Sequence, residues 1–147
     1  MNKEISRGLL EFNGIMKESD DIYRSAAKKC GLSDCAFWIF YFLRTEQEVF
    51  TQSDICNALY QPKQTVNSAL KKMEQDGMIE LSEMEDRRSK QIHLTEKGSA
   101  LVRRTVDRVI DIEMKSLSGM TSEEQKIFIE LFHKYTDLLK NNMRKLL

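Results

Sequence analysis

The hydrophobic period of this chain changes at Gly77 and changes back at Thr95. Before Gly77, apolar residues recur at helical spacing. After it, Ile79 and Leu81 alternate with Glu80 and Ser82, and then Ile92 and Leu94 alternate with Gln91 and His93. A period of two marks a half-buried strand, whereas recurrence every three or four residues marks a helix. Between the alternating runs lies EMEDRRSK (83–90), dense in charges of both signs. The pattern predicts one β-hairpin in an otherwise helical chain, and few folds combine those parts.

The helices can be bounded from their caps. Residues 4–30 place Ile5, Leu9, Phe12, Met16, Tyr23 and Cys30 at near-helical spacing, with Gly31 as the stop. Ser33 caps a second helix over 34–46 that carries Phe37, Trp38, Phe40, Tyr41 and Phe42. Thr51 and Asp54 have capping-box spacing at the start of a short helix ending near Leu59. Pro62 opens the next helix, where its missing N–H costs nothing, and Gly77 closes it. Thr95 caps a long helix, roughly 96–117, with Leu101, Val102, Val106, Val109, Ile110 and Leu117 inward. Thr121 and Glu124 cap a last helix with Phe128, Leu131, Phe132, Tyr135, Leu138 and Leu139 on one face. Six glycines and one proline leave no linker, so 1–147 is expected to form a single domain.

Composition excludes several function classes. Lys and Arg number 23, as do Asp and Glu, so a basic overall field is absent and any nucleic-acid contact must come from local placement of cations. No apolar run reaches 18 residues, and MNKEISRGLLEF lacks the apolar segment of a signal peptide. A cytoplasmic protein with no membrane partner is expected. Cys30, Cys35 and Cys56 have no C-x-x-C spacing, so neither a disulfide framework nor a zinc site is indicated. Glu130 and His133 match one Glu-x-x-His motif, but di-iron bundles need two and further carboxylates. No nucleophile elbow, phosphate-binding Gly loop or H-E-x-x-H occurs. The expectation is no enzyme, no metal and no cofactor.

The helix over 62–76 is the most informative element. At about 100° per residue, Val66, Ala69, Leu70 and Met73 share one face. Gln64, Asn67, Ser68, Lys71 and Gln75 centre opposite, with Lys63, Thr65 and Lys72 on the flanks. The outward face holds no acid until Glu74 and Asp76 at the C-terminal end. Amides and hydroxyls can reach base edges while amines hold phosphates, as a DNA recognition helix requires. Gln64 and Asn67 could pair bidentately with adenine, or bond phosphate or solvent instead. Short helix, turn, helix and hairpin together form a winged helix-turn-helix pattern.

The stretch TQSDICNALYQPKQTVNSALKKMEQDGMIEL, followed by EDRRSKQIHLTEKG, resembles the DNA-binding core of the MarR (multiple antibiotic resistance regulator) family. The likeness covers roughly 50–98 in motif and the whole chain in helix order. Its specific part is the combination of EQDGMI, DRRSK and LTEKG at this spacing. The resemblance implies a mainly α fold with a small β-hairpin: a winged helix-turn-helix part over 32–98, and dimerisation helices over 1–31 and 99–147. It implies a homodimeric repressor or activator on palindromic double-stranded DNA, often released by a small-molecule effector, an oxidant or a metal. The DNA-contacting residues would be Lys63, Gln64, Thr65, Asn67, Ser68, Lys71, Asp86, Arg87, Arg88 and Lys90. In the wing, Asp86 would orient Arg88 towards the minor groove. Leu81 departs from the pattern, because many relatives carry a basic residue there.

Other readings stand beside this one. The aromatic residues over 37–42 are first of all core, but they occupy more than one stripe. Phe37, Trp38 and Tyr41 are therefore the candidate lining of an effector pocket. Buried cysteines are usually inert. Should one sense oxidants, Cys35 is the candidate, since a helix N-terminus favours thiolate. A winged helix can also serve as a protein-interaction module without DNA, which zero net charge permits and the acid-free face opposes.

Overall fold

The computed structural model describes residues 2–46, 51–59, 61–83, 85 and 90–146. Its elements are α1 (Lys3–Lys29), α2 (Asp34–Thr45), α3 (Gln52–Leu59), α4 (Lys63–Gln75), β1 (Ile79–Glu83), β2 (Lys90–Leu94), α5 (Glu96–Arg104), α6 (Val106–Ser118) and α7 (Ser122–Met143). They fall into two compact units, 1–109 and 110–147.

The first unit holds the core. Phe37, Ile39 and Phe40 from α2 are buried with Ile55 of α3 and with Val66, Leu70 and Met73 of α4. Ile79 and Ile92 add the inner face of the hairpin, and Val102 and Val106 add the helices that follow. Fully burying such a side chain stabilises by about 1.5–3 kcal/mol, so this cluster fixes how α4 lies against α2 and α3. The strands pair antiparallel with Ile79 opposite Leu94 and Glu83 opposite Lys90, and Thr51 bridges to Gln91.

The restart after the hairpin is tied to the end of α4. Asp76 caps that helix and Gly77 follows at φ +71°, a conformation costly for residues with a Cβ. The Thr95 hydroxyl donates to the Gly77 carbonyl (2.6 Å) and accepts from the Gly98 N–H (3.0 Å). The Thr95 N–H donates to the Met78 carbonyl (3.1 Å), and the Lys97 ammonium donates to the Asp76 carbonyl (2.8 Å). A Cβ on Gly98 would lie 1.9 Å from the Met78 carbonyl oxygen, so only glycine fits there. This is the physical content of the LTEKG fragment.

The helix expected over 96–117 is two helices. Thr105 separates α5 from α6 at φ −123°, ψ −82°. Its side chain is buried, and its hydroxyl donates to the Leu101 carbonyl at 2.7 Å. A β-branched hydroxyl residue bonded back to position i−4 bends a helix. Burial of Val102 and Val106 on either side holds the bend in place. Leu117, expected inward, is 41% exposed.

The second unit contains the end of α6 and α7. Gln125 donates from its side-chain amide to the Leu117 (3.0 Å) and Met120 (2.9 Å) carbonyls, closing the turn. The capping box of Thr121 and Glu124 forms in both directions, at 3.2 and 2.8 Å. Phe128 and Phe132 stack with centroids 6.1 Å apart. No residue of α7 is buried.

Candidate nucleic-acid interface

Helix α4 starts one residue later than expected, with Pro62 as its N-cap and no side chain capping it. Its inner face buries Val66, Leu70 and Met73, which turns Lys63, Gln64, Thr65, Ser68 and Lys71 out to solvent. Lys63, Gln64, Asn67, Ser68 and Lys71 together line one shallow depression, as the helical spacing requires. The first turn carries no acid, and Asp76 at the far end lies 3.5 Å from Lys72. The Ser68 hydroxyl donates to the Gln64 carbonyl at 2.9 Å, which leaves its oxygen as an acceptor.

A second groove runs between α3, α4 and the hairpin, lined among others by Gln52, Cys56, Lys63, Asn67, Leu81 and Lys90. Lys90 is exposed at the start of β2, opposite Glu83. Leu81 gives this groove an apolar patch. Across the hairpin, Ser82 Oγ and His93 Nε2 lie 2.9 Å apart. The expected wing residues Asp86, Arg87 and Arg88 lie outside the described residues.

Asn67 differs from its neighbours on α4. It is half-buried, and the Gln52 side-chain amide donates to its Oδ1 at 2.5 Å. The Cys56 thiol lies 3.9 Å from the same oxygen. Gln52 and Cys56 were not among the expected site residues. Their positions in α3 carry no local signal, because facing Asn67 depends on how two helices pack. The Thr51 and Asp54 capping box at the head of α3 is present, with Asp54 Oδ2 accepting from the Thr51 N–H (2.8 Å) and hydroxyl (2.7 Å). These bonds, the backbone one first, hold the Asp54 carboxyl below its ordinary range.

Phe37, Trp38 and Tyr41 do come together, and Tyr23 from α1 joins them. Trp38 lies 5.1 Å from Tyr23 and 5.2 Å from both Phe37 and Tyr41, centroid to centroid. Phe37 is fully buried, whereas Trp38, Tyr41 and Tyr23 are half-buried. Cys35 is buried, and burial first, then the adjacent Asp34, pushes its thiol up. That is opposite to the shift expected from a helix N-terminus, because desolvation penalises the thiolate more than the helix end favours it. Arg44 and Asp107 form a bidentate pair (2.7 and 3.2 Å) that ties the end of α2 to the start of α6.

A short helix, a turn, an exposed helix with an acid-free face, and a two-stranded hairpin at its C-terminal end define a winged helix-turn-helix protein. Residues 31–89 match the model of the MarR family. The HTH-type transcriptional regulator PecS of Dickeya dadantii (strain 3937) is 36% identical over 91 residues, covering 61% of this chain and 55% of PecS. The chain thus spans about half the length of that curated relative. In structure, the chain is similar to NMB1585, a MarR family regulator from Neisseria meningitidis. The TM-score is 0.81 at 21% identity, over 95% of this chain and 99% of that one. It is also similar to the protein of an S. aureus MepR–DNA complex, with a TM-score of 0.68 at 24% identity, over 88% and 96%. The resemblance read from the motifs is thus matched by the family model over residues 31–89, and the chain has the fold of the MarR winged-helix regulators. No helix among the described residues is long and apolar enough to cross a membrane.

Proposed function

We propose that this protein is a cytoplasmic transcription regulator that binds double-stranded operator DNA as a homodimer and represses the genes beside it. One observation carries the reading: the exposed face of α4 presents Lys63, Gln64, Thr65, Ser68 and Lys71 with no acid in its first turn. Such a face fits a major groove, with amines at phosphates and amides at base edges. Lys90 extends the positive surface onto the hairpin, and Arg87 and Arg88 would continue it into the flanking minor groove, with Asp86 orienting Arg88. The likeness to PecS and to the MepR of a DNA complex supports the same reading.

Two copies would place their α4 helices about one DNA turn apart, roughly 34 Å, on a palindromic site. The exposed apolar side chains of α1, and separately those of α7, are surfaces that a second copy would cover. Release would be a population shift, in which an effector favours a helix spacing that does not match DNA. The effector would bind beside the ring cluster of Phe37, Trp38 and Tyr41. Oxidation of Cys35 is the weaker route, since burial holds its thiol protonated.

The test is binding of the purified protein to duplex fragments from its own genomic neighbourhood across a salt series. Affinity should fall steeply with salt. Lys63→Ala, Lys71→Ala and Lys90→Ala should each lower the salt slope by about 1 where the amine meets a phosphate. Failure to bind any duplex in a salt-dependent way would sink the proposal and favour a protein-interaction module.

A further inference from the structure

We propose that Gln52 sets which base Asn67 reads, by holding the Asn67 carbonyl oxygen and leaving only its amino group for DNA. This rests on the operator-binding reading above. An amide oxygen has two lone pairs. In Asn67 one is taken by the Gln52 amide (2.5 Å), and the Cys56 thiol faces the same atom at 3.9 Å. In this orientation Oδ1 meets both the Gln52 amide and the Cys56 thiol. No partner for the Asn67 amino group occurs among the described residues.

Asn67 sits where the groove of α3 and α4 meets the outward depression of α4. Lys63 and Lys71 lie one turn to either side of it on the same face. Its amino group is thus presented between two amines able to hold phosphates. Bidentate pairing with adenine needs both the carbonyl and the amino group of an asparagine. With the carbonyl occupied, that pairing is lost. What remains is a donor, which suits guanine best because N7 and O6 both accept, and thymine O4 next. Cytosine, which offers its own N4 donor, is selected against. Asn67 becomes the specificity-determining residue and Gln52 its positioning residue.

The experiment is selection from a randomised duplex library with the full-length protein and its Asn67→Ala and Gln52→Glu variants. Asn67→Ala should flatten one position of each half-site, which identifies the base that Asn67 reads. At that position the unaltered protein should prefer guanine over cytosine by roughly fivefold, the factor expected of one net hydrogen bond. In Gln52→Glu the carboxylate can only accept, so it draws the Asn67 amino group inward and turns the oxygen outward. The preference should then move to adenine or cytosine, whose exocyclic amines donate. Base ratios within one selection do not depend on the folded fraction, so a destabilised variant still reports. An adenine or cytosine preference in the unaltered protein, or an unchanged preference in Gln52→Glu, overturns the inference. An operator motif with no Asn67-dependent position also overturns it and leaves the operator reading intact. No enriched motif at all removes the operator reading itself.

Discussion

Between Asp34 and Val106 the chain buries its apolar side chains against one another, from Phe37 and Phe40 through Ile55, Val66 and Leu70 to Ile92 and Val102. The helices at the two ends do the reverse. In α1 only Ala27 is buried, while Ile5, Leu9, Leu10, Ile15 and Ile22 are exposed. In α7 nothing is buried, although Phe128, Leu131, Leu138 and Leu139 recur at helical spacing. Isolated helices are marginal in water, and their stability in proteins comes mainly from packing an apolar face. The winged-helix region therefore carries its own stabilisation, whereas the apolar side chains of α1 and α7 stay largely exposed. In the proposed dimer a second copy covers them.

The contrast is broken most severely by charging the α7 face. Leu131→Glu combined with Leu138→Glu should weaken self-association by about 3–5 kcal/mol, the cost of burying unpaired charge. That is more than a hundredfold in the dimer dissociation constant. Sedimentation equilibrium reads it directly, and an unchanged dimer would show that α7 is not the interface.

A change within the winged-helix region should act on folding itself. Gly98→Ala forces a methyl group towards the Met78 carbonyl, and overpacking against backbone costs about 2–4 kcal/mol. The unfolding free energy should fall by that amount at every protein concentration, and the denaturation midpoint should fall with it. A normal midpoint would mean that the approach of α5 to the end of α4 is not as close as described.

On the DNA side, the informative substitutions leave both regions folded. Arg88→Ala should lower operator affinity by about 1–3 kcal/mol with the melting temperature unchanged. Asp86→Ala should do damage of the same kind by freeing Arg88 to wander. Normal binding by Asp86→Ala alongside weak binding by Arg88→Ala would remove the orienting role from the acid.

The smallest effect belongs to the cap of α3. The Thr51 bonds hold the Asp54 carboxyl below its ordinary value of 3.8. A lowered folded pKa means the contribution is complete above that value and is lost as pH falls through the depressed one. Because Asp54 is exposed, solvent screening keeps the effect small. Asp54→Asn should cost at most about 0.5–1 kcal/mol at neutral pH, and the cost should vanish in acid. A penalty that persisted once the Asp54 carboxyl was protonated would point to packing rather than the carboxylate.

Most of the fold was legible in order and type, because each signal is local. The caps at Ser33, Thr51, Thr95 and Thr121 all form. The hairpin register follows from the alternation of Ile79 and Leu81 against Ile92 and Leu94. The division of 96–117 at Thr105 was not legible. The apolar spacing runs through it without interruption, and the bend depends on burial around Val102 and Val106. Of the candidate site, the helix face was legible and its partners were not. Spacing assigns Lys63, Gln64, Ser68 and Lys71 to one side, but only packing brings Gln52 and Cys56 against Asn67.

The sequence by itself determined where the backbone changes period, which residues cap each helix, and that one helix face is free of acid. Those properties are set within three or four residues, where backbone geometry alone makes neighbours. The tertiary structure decided which of those residues keep their hydrogen-bonding atoms available. It places Asn67 Oδ1 against α3 and buries Cys35 deeply enough to hold its thiol protonated. Donor occupancy and desolvation depend on atoms distant in the chain, and only the packed helices bring those atoms within reach.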